Sequence, residues 1–563
     1  MNQSRRSFLR SGTLGIAIAG STFPLANILR AYPVSDTPQM LRMPIRITSG
    51  QECTFAFGDT EIWADGLTHR ILCNNAQMAL IELTTNETAS IPVTNRTSSP
   101  VSIHWHGMDV PASMDGHPKH AFPSGSTLNY TFPVRNRSGL YFFHSHSHMA
   151  TAREVYMGMV GALIVRDEHE RSLGLPSGDF EIPLLIQDVR VGATNQLAYS
   201  PTMNDMMNGW MGNRVLVNST PNAFHQVRRA TYRLRIVNGS NARVYDLALS
   251  NGQEFTIIGT DGGLLESPIP VRNVRLAPGE RLDLLVDFST SSAGDNVKLV
   301  SAPYTAPVEM MSPVYPQGLA MDILTFTVTN ETGPVFTPPS KLSEFPALPS
   351  LNGLRTRIFS LSMARGMGMG MRPQINGLTY NMERIDFTVV RGEFEIFEFR
   401  NTENAMFHPM HVHGRQFRVL SRSGGTLLPT DTGYKDTILV APNETVRVLV
   451  QHSEYTGEFL LHCHNLEHED EGMMMNYYIS EVSSVDDTVE SAIDIYPNPA
   501  STTVTIRSQA GGYKDLAIYD VSGRTVVTRT DVSNGEQVDI RHLTDGHYTL
   551  EYGSIQAALV VQH

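Results

Sequence analysis

Residues 462–474 read HCHNLEHEDEGMM. A cysteine stands between two histidines, a third histidine follows five residues after it, and a methionine five after that. On a β-strand, side chains two apart share a face, roughly 6.5–7 Å from one another, and the residue between them points to the other face. A strand ending here offers His462 and His464 on one face and Cys463 on the opposite one. Such a stretch reads as strand, and as ligands for two different metal sites. Its surroundings agree with strand: VRVLVQHS (446–453), RLDLLVDFS (281–289), TYRLRIVNGS (231–240) and TLNYTFPVRN (127–136) are short runs between Gly, Pro, Asn and Asp turns. From about residue 45 to 480 this spacing is that of sandwiches, and no long window has helical periodicity. The fold class expected is all-β.

At 563 residues the chain holds several domains. Pro-rich LPSGDFEIP (175–183) and TGPVFTPPSKLSEFPALPS (332–350) mark two boundaries, and the polar, acidic SEVSSVDDTVESA (480–492) a third, before a small β module of about seventy residues. The net charge of −13 speaks against a nucleic-acid partner, which needs clustered Lys and Arg. At the N-terminus, SRRSFLR (4–10) precedes a modest apolar run, LGIAIAG. Paired arginines before a weak hydrophobic segment match a twin-Arg export signal over residues 1–31. That run is far below the roughly 18–20 residues needed to span a bilayer, and no stable membrane span is expected elsewhere. Of three cysteines, Cys53 and Cys73 either pair after export or remain two buried thiols; Cys463 is the odd one, among histidines.

Three more clusters join the first: HWHG at 104–107, HSHSH at 144–148 and HPMHVHG at 408–414. The pairs His104/His106, His144/His146, His411/His413 and His462/His464 supply eight imidazoles, too many for one ion and suited to a cluster. His408, His468 and Met473 remain for Cys463. Two imidazoles, a thiolate and a weak thioether are the ligand set of a blue-copper electron-transfer site. Zinc takes the same ligand types but cannot change oxidation state, so it makes no use of a Cys–His bridge between two centres. A copper redox protein follows.

HWHG, YFFHSHSH, HPMHVHG and HCHNLEHEDEGM resemble, in order, the four copper motifs of the multicopper oxidases, and GALIVRDEHE, IPLLIQD, RLRIVNGSNARVY and YKDTILVAP are similar to family text. The resemblance implies three cupredoxin-like Greek-key β-sandwich domains at 45–172, 178–335 and 350–482. It implies four copper ions. A type 1 copper would take His408, Cys463, His468 and Met473; a type 2 copper His104 and His411; a type 3 pair His106, His144, His146, His413, His462 and His464. His148 has no place in the pattern. One-electron oxidation of a donor at the type 1 copper would feed, through Cys463, the reduction of O2 to water. Asp115 and Glu469 match acidic positions that the family uses for protons.

The C-terminal half is most similar to the bacterial cuprous oxidases of copper tolerance. MARGMGMGM carries Met363, Met367, Met369 and Met371, and thioethers suit Cu(I). Met363 and Met406 match methionines of that group's substrate-copper site, whereas Asn404 and Gly368 stand where carboxylates are expected. The donor is thus Cu(I) or, with the shorter methionine loop, a phenolic or other aromatic reductant as in laccases. Residues 493–563, with YPNP, IYDVSGR and LTDGHY, resemble the type IX secretion sorting domain. The partners expected are O2, a small reductant and the two export machineries; the location is exported, from periplasm to cell surface or medium. The alternative is a non-catalytic copper-binding or structural relative, which would be expected to have lost ligands.

Overall fold

The computed structural model describes residues 37–63, 66–192, 196–307, 315–365, 371–481, 494–507, 513–520, 524–533, 535–553 and 555–563. The twin-Arg segment and Met367, Gly368 and Met369 lie outside the described residues. The chain forms two compact units, one up to Ser480 and one from Glu481.

Three sandwiches make up the first unit. In the first, a five-stranded sheet ends on β1 (Ile103–His106), paired to β2 (Gly139–Ser145), and packs on a four-stranded sheet. Alternation turns Trp105 and Phe143 into the apolar layer with Phe55 and Ile91, and leaves the histidines of both strands on the outer face. Helix α1 (Thr151–Tyr156) follows β2. The middle sandwich, of seven and six strands, has its own core around Leu184, Leu234, Leu284 and Phe326, and carries the short helix α2 (Met203–Asn208). In the third, a six-stranded sheet faces a five-stranded one that holds β3 (His408–Val412), β4 (Thr437–Val440), β5 (Gly457–Cys463) and β6 (Met474–Ser480). Helix α3 (Leu466–Asp470) lies between β5 and β6.

Pairing register does the positioning. His104 lies directly opposite His144 across β1 and β2, and His411 opposite His462 across β3 and β5. Directly opposed residues on antiparallel strands bring their Cβ atoms to about 4.5–5.5 Å. One residue further on β5, Cys463 opposes Met410 and belongs to the buried layer of the third sandwich with Met473. The strand stops at Cys463, so His464 is carried by the turn into α3. That turn is tied to the middle sandwich: Leu466 N–H donates to the Asn241 carbonyl at 3.0 Å, and Glu467 accepts from Asn241 and from the Trp210 backbone.

The second unit has its own core, around Val504, Ile506, Leu516, Ile518, Leu550 and Leu559, between a three-stranded and a four-stranded sheet. Cys53 and Cys73 are buried free thiols. Among the described residues, no helix is long and apolar enough to cross a membrane.

Candidate metal centre

The imidazoles of the first and third sandwiches meet face to face, and their tautomers follow from their neighbours. A carbonyl oxygen only accepts, so a ring nitrogen beside one must carry the proton. His104 Nδ1 donates to the Asp115 carbonyl at 2.6 Å, His411 Nδ1 to the Asp436 carbonyl at 2.8 Å, His144 Nδ1 to that of Ser145 at 2.8 Å and His462 Nδ1 to that of Cys463 at 3.1 Å. His413 Nδ1 donates to the Asp115 carboxylate at 2.7 Å. Every one of these rings therefore turns a bare Nε2 lone pair inward.

Those lone pairs point at one another. His104 Nε2 and His411 Nε2 are 3.3 Å apart, and His413 Nε2 and His462 Nε2 are 3.1 Å apart. His106 gives its Nε2–H to Asp436 Oδ1 at 3.0 Å, which leaves its bare Nδ1 3.4 Å from His144 Nε2. Two acceptors at that distance with no proton between them repel, unless a cation lies between. His146, His413 and His462 gather their ligand atoms within 4.8 Å, and so do His104, His411 and His413. The His464 ring lies 4.9 Å from that of His106 and 5.2 Å from that of His144, and both of its nitrogens are buried without a hydrogen-bond partner. Burial holds His106, His144, His146, His411, His413 and His464 well below the ordinary imidazole range. They are neutral at physiological pH, as ligands must be.

On the other side of β5, Cys463 Sγ is 3.6 Å from His408 Nδ1 and 3.7 Å from His468 Nδ1. His468 Nε2–H donates to the Met207 carbonyl at 2.9 Å, which fixes Nδ1 as the lone pair facing the sulfur. Burial holds His468 down at about 4 and pushes the Cys463 thiol up, so a thiolate here needs a cation beside it. Met473 is fully buried, its carbonyl accepting from Cys463 N–H and its N–H donating to the His468 carbonyl. The donor set of two imidazoles, a sulfur and a nearby thioether fits copper.

Two buried carboxyls flank the cluster. Asp115 Oδ1 has no hydrogen-bond partner, and burial raises the pKa of this group. Glu469 Oε2 is 3.2 Å from His462 Nδ1 and Oε1 is 3.7 Å from His146 Nε2, at angles that make no hydrogen bond. His148 is exposed, its ring 5.8 Å from Tyr380. Met363 and Met406 pack with Met207, and Met371 packs against them. Met207 escaped the sequence reading although a methionine-rich run, TMNDMMNGWMGN (202–213), advertises it. Glu403 is also new: its Oε1 accepts from Met363 N–H at 2.9 Å, beside Asn404. Asp436, inside YKDTILVAP, escaped as well, because a hydrogen bond to His106, 330 residues away, leaves no local pattern.

Family models described as multicopper oxidase match residues 58–170, 186–301 and 349–483. The multicopper oxidase mco of Staphylococcus haemolyticus is 31% identical over 421 residues, 74% of this chain and 85% of its own. The chain belongs to the multicopper oxidase family. Membership implies copper and oxidase chemistry. The crystal structure of the McoA multicopper oxidase from Aquifex aeolicus is 37% identical, with a TM-score of 0.72 over 79% of this chain and 100% of that one. Another family relative is the cell division protein FtsP of Photorhabdus laumondii, 28% identical over 84% of this chain and 98% of its own. Residues 494–562 match a secretion system C-terminal sorting domain, which marks the multicopper oxidase for export.

Proposed function

We propose that the protein oxidises a donor one electron at a time at His408, Cys463, His468 and Met473, and reduces O2 to water between the first and third sandwiches. The single observation that carries this reading is the set of inward, unprotonated imidazole nitrogens, paired at 3.1–3.4 Å. Bound copper, about four ions, would supply reversible one-electron chemistry at the cysteine and multi-electron chemistry toward O2 at the cluster. His104 and His411 would hold a type 2 ion; His106, His144 and His464 would hold one type 3 ion, and His146, His413 and His462 the other. Cys463 and its neighbours His462 and His464 give an unbroken covalent path between the two sites. Asp115, through the proton-accepting Oδ1, and Glu469, beside His462 and His146, would carry protons to the cluster.

The donor arrives from the side of Met207. Met207, Met363 and Met406 form a thioether cluster whose Met207 carbonyl is bonded to His468, one hydrogen bond from Cys463's site. Soft sulfurs there favour Cu(I), and Glu403 brings a carboxylate to the same place. A phenolic donor is the second reading; it would dock outside the small recess at His468 that Phe407, Pro409, Pro307 and Ala405 help to line. The domains are read at 45–172, 178–335 and 350–482, and the sorting module at 493–563; a twin-Arg signal over 1–31 would send a folded chain out first. The test is oxygen uptake by copper-loaded protein with Cu(I) or a phenol, repeated in Met363→Leu and Met406→Leu. Slow Cu(I) oxidation untouched by either change removes the cuprous reading. Copper binding without any uptake would place the chain with non-catalytic relatives.

A further inference from the structure

The middle sandwich, 178–335, supplies none of the twelve residues assigned to copper, yet two of its fully buried charges, Arg281 and Asp261, bond to Asp436, the residue that holds His106 and His411. We propose that Asp436 is the positioning residue of the three-copper cluster and that Arg281 grips it from the middle sandwich, which thereby controls copper loading without contributing a ligand. The proposal rests on reading the cluster as a copper site.

Asp436 stands between Tyr434–Lys435 and β4, two strands of different sheets. Its carboxylate Oδ1 accepts from His106 Nε2 at 3.0 Å, and its backbone carbonyl accepts from His411 Nδ1 at 2.8 Å. One residue thus sets the tautomer of a type 3 ligand from the first sandwich and a type 2 ligand from the third. Reversing either proton would aim an N–H at the metal and abolish that ligand. Arg281 fixes the carboxylate with two bonds, Nη1 to Oδ1 at 2.6 Å and Nη2 to Oδ2 at 2.5 Å. The remaining donors of the guanidinium go to the carbonyls of Gly279, Asp261 and Leu140 at 2.8, 2.9 and 3.3 Å. A planar fork with every N–H spent cannot swing away.

The neighbours complete the joint. Lys435 Nζ lies 2.9 Å from Asp261 Oδ2 and 3.1 Å from Glu280 Oε1. All five charged groups are buried. Separating the middle sandwich from the third would strand several of them unpaired, and an unpaired buried charge is strongly disfavoured. The glycine of HWHG belongs to the same device: a Cβ on Gly107 would lie 2.4 Å from Asp436 Oδ2 and 2.7 Å from Arg281 Nη2. Partners that orient metal-bound histidines typically change metal affinity 10–100-fold when removed.

The experiment compares Asp436→Ala, Arg281→Met and Asp436→Asn with the wild-type chain, each copper-loaded. Total copper per chain is measured, with the visible thiolate-to-copper band of Cys463 and the paramagnetic resonance of the type 2 ion. Asp436→Ala and Arg281→Met should keep the thiolate band and lose at least half of the copper, all of it from the cluster. Asp436→Asn, which still accepts from His106, should recover part of that copper. Wild-type copper and resonance in Asp436→Ala would overturn the proposal. So would parallel loss of the thiolate band and cluster copper, which a general packing defect would produce. A wild-type chain with the thiolate band and an empty cluster would instead overturn the reading of the site itself.

Discussion

Gly107→Ala tests the joint between Asp436 and Arg281 directly. Gly107 has φ +84°, in the region where an L side chain costs about 1–2 kcal/mol. The added methyl would also meet Asp436 Oδ2 at 2.4 Å, Arg281 Nη2 at 2.7 Å and Tyr141 Cδ1 at 3.1 Å. Forcing one carbon into a packed site costs typically 1–3 kcal/mol, and here the displaced atoms are a buried ion pair with no slack. Alanine also stiffens the unfolded chain, which returns about 0.4–1 kcal/mol. The net expectation is a loss of about 2–4 kcal/mol. Gly125→Ala separates the two contributions: its φ is +82°, and nothing lies within 4 Å of its Cβ. It should cost about 1 kcal/mol. Guanidinium unfolding of the copper-free chain, followed by tryptophan fluorescence, reads both, since Trp105 is buried next to His106 on β1. Gly107→Ala should also load less copper at the cluster while Gly125→Ala loads normally. Equal stability of the two variants, with equal copper, would show that the Asp436–Arg281 pair yields freely and would refute the tight-approach reasoning.

Replacing the bridging cysteine, Cys463→Ser, should abolish the thiolate band, retain cluster copper and cut oxygen uptake by at least about 100-fold; unchanged uptake would mean that electrons enter elsewhere. Copper-free protein should lose stability in acid. Its buried imidazoles have folded-state pKa values below the unfolded 6.5, so their contribution is complete above about pH 6.5 and is lost as pH falls toward 4. His468, held at about 4, accounts alone for on the order of 3 kcal/mol, at about 1.4 kcal/mol per pKa unit. Thermal unfolding of the copper-free chain at pH 7 and pH 5 checks this, and a higher melting temperature at pH 5 would contradict it. Combined Met207→Leu, Met363→Leu and Met406→Leu should slow Cu(I) oxidation at least about tenfold and leave phenol oxidation within about twofold; equal losses on both donors would show general damage to the type 1 site.

Much of this architecture was legible in the chain because strands write alternation into sequence. HWH, HSH and HCH place two like side chains on one face, and the blue-copper set around Cys463 follows from what those pairs leave over. The turn that carries His464 was not legible: nothing in LEHED shows that α3 hangs from Asn241 and Trp210 of the middle sandwich. Asp436, Arg281 and Met207 were hidden for the same reason. Each acts through contacts between sandwiches, and a residue type at one position carries no mark of a partner 155 or 261 residues away. Asp115 was readable only through family likeness; its geometry, one oxygen bonded to His413 and the other bare, appears with the fold.

The central claim is that paired lone pairs between two sandwiches hold copper that reduces O2 completely. The most direct measurement loads the chain with copper, reduces it without air, and titrates it with O2 while recording the donor oxidised and any hydrogen peroxide released. Four electrons taken per O2, with no peroxide, is the predicted result. Peroxide at two electrons per O2, or full copper occupancy with no oxygen consumed, would contradict the account.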